Sequence, residues 1–266
     1  MTAPTLDSPA GAAELIGVFE PGSPEWHAAR ADGIGGSEIA ALLGLSTWDS
    51  RFSLWHRKRG IVPPREASTE MDAGRRLEPV INQVFEERHP EFLVRKGGTY
   101  RSTARPYQIA NPDGLCFPWQ CACGAAGEFL CSCLPSDQID AIHEAKFALF
   151  DDHWGEQGTD EVPVYYQAQC RWYMDVFDVR RCFLTVFLGS TGEFREYVIE
   201  PDAEDTATMR AEAEEFMRTL AQNIRPKIDG HTATYQVVKD LPEGQVDMDV
   251  EIWPLLRDQY FDALDA

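Results

Sequence analysis

The chain has no run of about 18 apolar residues, the length a helix needs to cross a bilayer. It is also poor in positive charge, with 24 Lys and Arg against 44 Asp and Glu in 266 residues. The first shortage excludes a membrane-spanning helix. The second gives a formal net charge of −20 and a pI near 4.6, and excludes diffuse nucleic-acid binding through a generally basic surface. Residues Met1 to Ala13 lack both a basic segment and an apolar core, so the expectation is a soluble, cytoplasmic protein. No internal repeat is present. What the chain does have is a sizeable apolar share, 44%, enough for one large domain or two small ones.

The few basic residues are unevenly placed. Residues 51–105 hold 12 of the 24 Lys and Arg against 7 acids, whereas from Glu196 onward 17 acids face 6 bases. A nucleic-acid site would therefore be a local basic surface on an otherwise repelling body, the alternative being scattered solvated arginines.

Chemistry concentrates between Asn111-Pro112-Asp113-Gly114 and Ile139-Asp140-Ala141-Ile142-His143-Glu144-Ala145-Lys146. The first is an acid on a tight turn and the second a strand. Alternation puts Glu144 and Lys146 on one face, so two acids and a base converge. Hard divalent cations such as Mg²⁺ take one or two carboxylates and keep positions for water and phosphate, so the grouping suits metal-assisted phosphodiester hydrolysis. An ordinary turn followed by an exposed charged strand is the plainer alternative.

Upstream, Ser23-Pro24 opens a helix running to about Arg30. In Gly33-Ile34-Gly35-Gly36-Ser37, a glycine-rich loop leads to Ser37 as the expected cap of a helix ending at Gly44. Free N–H groups at such a start attract anions, and Arg30 is the natural second contact for a phosphate. Helices are predicted over Trp48 to Arg59 and from Ser68 to about Arg88, the latter with Leu77, Val80, Ile81, Val84 and Phe85 as its buried stripe. Glu78, at the margin of that stripe, needs a cation, either Arg75 or a metal. Strands are expected at 92–95, 99–109, Arg181–Leu188 and Phe194–Ile199. A helix from Pro163 carries Gln169 and Tyr173 on one face, four residues apart. A long amphipathic helix from about Ala203 ends near Asn223.

Taken in order, Trp26-His27-Ala28-Ala29-Arg30, Ile34-Gly35-Gly36-Ser37, Gly74-Arg75-Arg76-Leu77-Glu78-Pro79, Pro112-Asp113-Gly114, Glu144-Ala145-Lys146 and Tyr166 to Met174 resemble the YqaJ-like viral recombinase family. These nucleases are relatives of lambda exonuclease in the PD-(D/E)XK superfamily. The resemblance spans roughly residues 24–200. It implies an α/β, restriction-endonuclease-like core, with a central mixed sheet flanked by helices, over residues 23–225. A flexible lead (1–22) would precede it and an acidic segment (226–266) follow.

By the same resemblance Asp113, Glu144, Glu78 and the carbonyl of Ala145 hold Mg²⁺, two ions being expected and Mn²⁺ a substitute. Lys146 orients water or steadies phosphate charge. Gln169 and Tyr173 position DNA beside the site, while Arg30 and Ser37 hold a 5′-phosphate. The implied activity is 5′-to-3′ degradation of linear double-stranded DNA. It leaves 3′ single-stranded overhangs for a single-strand annealing protein, in phage or prophage recombination within the bacterial cytoplasm. A trimeric ring of identical chains is the implied assembly. A non-catalytic DNA-end or protein-binding module on the same fold, and an endonuclease, are the alternatives.

The chain departs from that family by a cysteine-rich insertion at 116–137. Cys121-x-Cys123 and Cys131-x-Cys133 could supply four thiolates to tetrahedral Zn²⁺, with Cys116 as substitute, although the spacing is tighter than the usual Cys-x₂-Cys. Reduced thiols on an exposed hairpin and an iron–sulfur cluster are the other readings. Cys170 and Cys182 fall among apolar residues and are expected in the core.

Overall fold

The computed structural model describes residues 12–65, 68–119 and 134–241, divided between two mixed sheets and their covering helices. The chain begins with strand β1 (Ala13–Gly17), helix α1 (Pro24–Ala31), the short strand β2 (Ile34–Gly35) and helices α2 (Gly36–Leu42) and α3 (Arg51–Lys58). Helix α4 (Thr69–Arg88) leads to β3 (Phe92–Lys96), β4 (Thr99–Ser102), β5 (Gln108–Ala110) and β6 (Gly114–Pro118). Then come β7 (Ala141–Ala148), α5 (Val164–Phe177), β8 (Cys182–Leu188), β9 (Glu193–Ile199), α6 (Ala203–Ala221) and α7 (Thr232–Asp240).

Helix starts follow side-chain chemistry. Ser23 accepts from the Trp26 N–H at 3.1 Å and Pro24 fills the first turn, where its missing N–H costs nothing. Ser50 and Ser53 exchange reciprocal 3.0 Å bonds at the head of α3. Ser68 caps α4 through the Met71 N–H at 3.2 Å, and Asp202 caps α6 through Glu204 and Asp205 at 2.9 Å.

The five-stranded sheet runs β3-β6-β7-β8-β9, with β7 at its centre. Strands β7 and β8 are parallel from Ile142 opposite Cys182 to Ala148 opposite Leu188, so the chain must cross over between them, and α5 lies in that connection. Alternation then sorts β7. Ile142 joins Leu184, Val186 and the α5 residues Trp172 and Met174 in the main core, while His143 on the opposite face stacks on Phe85 of α4 with ring centroids 3.9 Å apart. The four-stranded sheet runs β1-β4-β5-β2. Trp172 ties it to α5 by donating its indole N–H to the carbonyls of Ile34 (3.2 Å) and Ile109 (3.1 Å).

Several local expectations need correcting. The lead up to residue 22 contains β1, paired antiparallel with β4 with Ala13 buried; its apolar content is too slight to announce a strand without the partner. Helix α7 packs through Val237 and Leu241 on Phe52 of α3, in a segment read as weakly structured. Gly35, not Ser37, is the N-cap of α2; Glu38 plays the cap's counterpart by accepting the Gly35 N–H at 2.7 Å. Val80 is exposed rather than part of the α4 stripe, and Arg75 pairs with Asp72 at 3.6 Å, not with Glu78.

Cys121, Cys123, Cys131 and Cys133 lie outside the described residues. At the edges of that stretch Trp119 and Pro135 form an antiparallel bridge, and the Ser136 N–H donates to the Pro118 carbonyl at 2.7 Å. Cys116 is fully buried in β6 beside Phe85, and burial pushes its thiol up to about 12. Cys170 and Cys182 are buried, as expected of core residues.

Candidate active site

Three elements bring the charged residues together. The turn before β6 presents Asp113, whose carboxylate accepts the N–H of Ala145 at 2.8 Å. Strand β7 presents Glu144 and Lys146 toward α5, with Lys146 Nζ 2.5 Å from Glu144 Oε1. Helix α5 contributes Gln169, whose amide donates to the same Oε1 at 2.5 Å and lies 3.2 Å from the Tyr173 hydroxyl. Tyr166, one turn earlier, places its ring 5.1 Å from the Lys146 ammonium. The other oxygen of Glu144, Oε2, is buried and has no partner among the described residues. Glu78 reaches the same groove from α4 and is half-buried.

The acids oppose one another. Burial, with the Asp113 charge adding to it, pushes Glu144 up to about 8 against the pull of Lys146. Burial also raises Asp113, against the Lys146 charge and the Ala145 N–H, and raises Glu78, with Asp113 again adding. Burial works against the Lys146 ammonium, but Glu144 and Asp113 outweigh it and hold its pKa above the ordinary value. Lys146, with Lys96 also acting on Asp113 and Glu78, thus faces three carboxylates, an imbalance that a divalent cation would relieve.

No three His, Cys, Asp or Glu side chains among the described residues already close around a common point. What the fold offers is two carboxylates, a neighbouring main-chain carbonyl and a third acid at the margin, all hard oxygen donors, one of them an unpartnered buried Oε2. That set fits Mg²⁺, which keeps much of its water, better than an ion needing a full protein cage.

A second cluster stands on the wall of the same groove, about 1060 Å³ in volume. Arg30 is buried, its guanidinium 4.1 Å from the Trp26 ring, and it donates to Ser37 Oγ at 3.2 Å and Asn111 Oδ1 at 3.3 Å. Gly35 allows this: a Cβ there would stand 2.3 Å from an Arg30 nitrogen. Gly36 has the same role toward Tyr173, whose ring would meet an added Cβ at 2.4 Å. Behind the loop lies Lys58 of α3. Its ammonium donates to the carbonyls of Arg30 (2.9 Å) and Gly33 (2.7 Å) and to Glu38 (2.9 Å).

Asp113, Glu78, Ala145, Lys146, Gln169, Arg30 and Ser37 all line this groove. Glu144 sits just beneath it. Tyr173 is 2% exposed and stands behind Gln169, so the structure makes it a support for that amide rather than part of the wall. Sequence reasoning passed over Lys58, Glu38, Asn111 and Tyr166. For Tyr166 a signal existed, three residues before Gln169 on the same helical face; for the Lys58–Glu38 pair, twenty residues apart, there was none.

Comparison with known proteins bears on the family and the fold. The profile of the YqaJ-like viral recombinase domain matches residues 25–180, from α1 to the end of α5 and so across both clusters. A Bacillus subtilis (strain 168) protein called YqaJ, itself described as uncharacterized, is 27% identical over 218 residues, covering 81% of this chain and 62% of its own length. The chain therefore spans under two thirds of that relative. An alkaline exonuclease from Laribacter hongkongensis, LHK-Exo, superposes with a TM-score of 0.55 at 19% identity over 82% of this chain and 97% of its own. The same enzyme in complex with dAMP gives 0.56 at 17% identity over equal shares. A phage-related exonuclease from Haemophilus somnus 129PT gives 0.52 at 11% over 72% of this chain and 95% of its own. At these identities the likeness is one of fold, the restriction-endonuclease-like α/β core. With more than half its length matched by that profile, the chain belongs to the YqaJ-like viral recombinase family.

Proposed function

We propose that the protein is a Mg²⁺-dependent deoxyribonuclease that degrades linear double-stranded DNA from its 5′ ends and leaves 3′ single-stranded overhangs. The observation that carries this is the convergence of Asp113, Glu144 and Lys146, with the Ala145 N–H fixing Asp113 and one Glu144 oxygen left unpartnered. A binding module has no use for two buried acids and a half-buried third, all raised chiefly by burial, gathered beside one buried ammonium. The fold neighbours support the reading: two are named exonucleases, and one was solved with dAMP, a nucleoside monophosphate.

Asp113, Glu144 and the Ala145 carbonyl would hold the metal, with Glu78 closing the groove. Bound there, Mg²⁺ supplies Lewis-acid polarisation of the scissile phosphate and a nucleophilic water at neutral pH. Gln169 fixes the Glu144 carboxylate, leaving Oε2 free to ligate. Lys146 offers its ammonium to phosphate oxygens that gain charge as the P–O bond breaks. Arg30 and Ser37, with the loop N–H groups at the head of α2, would take the 5′-terminal phosphate and so set polarity. A single-strand annealing protein acting on the overhang, a homotrimeric ring and action in a bacterial host's cytoplasm complete the proposal.

The test incubates 5′-phosphorylated linear duplex, unphosphorylated linear duplex and closed circular DNA with Mg²⁺ or EDTA. Mg²⁺-dependent release of mononucleotides from linear DNA, fastest with the phosphate, is expected. Cutting of the circle would make the protein an endonuclease, and no cutting of any substrate would make it a binder.

A further inference from the structure

The groove has a feature that neither cluster uses. A series of aromatic rings runs along it from solvent to the catalytic lysine. Trp48 stands 4.6 Å from Tyr165 and 6.4 Å from Tyr166, Tyr165 stands 4.5 Å from Tyr166, and Tyr166 lies 5.1 Å from the Lys146 ammonium. The interplanar angles are 73°, 39° and 71°, so no pair is stacked in parallel and flat ring surface is left over. Trp48 is 42% exposed, a large apolar side chain facing water on the groove wall.

Trp48 is also held in place. Ser46 Oγ accepts the N–H groups of Trp48 (3.1 Å) and Asp49 (3.0 Å). The N–H groups of Leu45 and Ser46 both donate to the Ala40 carbonyl, and His231 at the head of α7 lies 3.0 Å from the Ser46 carbonyl. Asp49 is pinned by Arg57 at 2.7 Å. With the backbone fixed, an aromatic side chain has only two rotatable bonds and loses little entropy when something binds it.

We infer that Trp48 and Tyr165 form a stacking subsite for an unpaired base of the DNA strand whose backbone passes Lys146. This rests on the nuclease reading above. The occupant follows from position and charge. Arg65 and Arg75 line the same groove as these rings, so a polyanion carrying flat apolar faces matches it, as in single-strand binding grooves. The two contacts from Trp48 through Tyr166 bound its distance from Lys146. At about 3.4 Å per stacked nucleotide, the subsite lies within roughly three nucleotides of the scissile phosphate. An end must open before its terminal nucleotide can reach the buried acids, and a ring there holds the base that opening exposes.

The test is the dissociation constant of a 5′-phosphorylated duplex whose three 5′-terminal nucleotides are unpaired, read by fluorescence anisotropy with Ca²⁺ replacing Mg²⁺. Trp48→Ala should weaken binding about 5- to 150-fold, the range for loss of one base–aromatic stack. Making the three unpaired nucleotides abasic should weaken the wild type similarly, and the two changes together should add little. Trp48→Phe should retain most of the affinity. Equal binding of normal and abasic ends by the wild type would overturn the inference. So would strictly additive losses, Trp48→Phe behaving like Trp48→Ala, or no DNA binding at all. Should Trp48→Ala fail to fold, Tyr165→Ala takes its place in the same cycle. Loss of Mg²⁺-dependent cleavage with base-dependent binding intact would sink the nuclease reading and leave the subsite standing.

Discussion

Replacing Lys58 by methionine tests whether the groove wall that carries Arg30 and Ser37 is held from behind. The ammonium makes three bonds, to the carbonyls of Arg30 and Gly33 and to Glu38, with side-chain exposure of 7% for Lys58 and 19% for Glu38. Breaking a buried ion pair by removing one partner costs about 3–5 kcal/mol, because the remaining charge is stranded. Glu38 keeps the Gly35 N–H and the Arg30 guanidinium at 3.7 Å, so the lower end, about 3 kcal/mol, is expected for Lys58→Met. Adding Glu38→Gln removes the stranded charge, and the cycle should show a coupling of about 1–3 kcal/mol.

Protonation gives an independent check. Burial pushes the Glu38 carboxyl up, but Lys58 and Arg30 outweigh it and hold its pKa below the ordinary 4.5. Its contribution is therefore present above that value and is lost as pH falls through the folded pKa. Without Lys58 the carboxyl titrates higher, so the penalty of Lys58→Met should shrink between pH 7.5 and pH 5. Urea unfolding of the four proteins at both pH values measures all of this. A penalty below about 1 kcal/mol, additive losses or a pH-independent difference would refute the reasoning.

Three further outcomes follow from the site. Lys146→Ala should cut the turnover number by about 10²–10³, as removal of one preorganised donor does, while the unfolding midpoint stays close enough to wild type for the fold to be intact. Glu144, at about 8 in the metal-free protein, must lose its proton to ligate, so the apparent Mg²⁺ affinity should rise about tenfold per pH unit toward pH 8 and level off above it. Calorimetry in buffers of different ionisation enthalpy should show proton release on binding at pH 7 and none at pH 9. The same raised pKa means that Glu144 favours folding fully below about 4.5 and loses that contribution as pH rises through 8. Mg²⁺ should therefore lift the melting temperature more at pH 8.5 than at pH 5.5. For Cys121, Cys123, Cys131 and Cys133, about one equivalent of zinc per chain is expected in purified protein. Cys116, buried against Phe85, is poorly placed to replace any of them, and less than half an equivalent would end the zinc proposal.

What could be read from the sequence was whatever a short period encodes. Strand alternation places Glu144 and Lys146 on one side of β7, and helix periodicity places Gln169 four residues before Tyr173; both pairings appear in the structure. Helix starts were legible for the same reason at Ser23, Ser68 and Pro163, where the signal lies within four residues. Ser37 misled because a serine after glycines is a common cap, whereas here Glu38 accepts the Gly35 N–H and the Ser37 hydroxyl meets Arg30 instead. Strand β1 was missed because its stability comes from β4, more than eighty residues away.

Long-range pairs decide the site's chemistry, and they leave no periodic trace. Lys58 stands in the run Arg57-Lys58-Arg59, which reads as a solvated basic helix end, yet it is the member that turns inward beneath the glycine loop. Its neighbours divide as well: Arg57 is spent on Asp49, so the local excess of basic residues overstates the positive charge left unpaired. With Arg30 and Lys58 both facing Glu38, the proposed phosphate recognition would depend on a few positioned donors more than on field strength. On the proposed function, a chain of net charge −20 would need to attract a polyanion only inside the groove, while the acidic remainder would disfavour binding anywhere else.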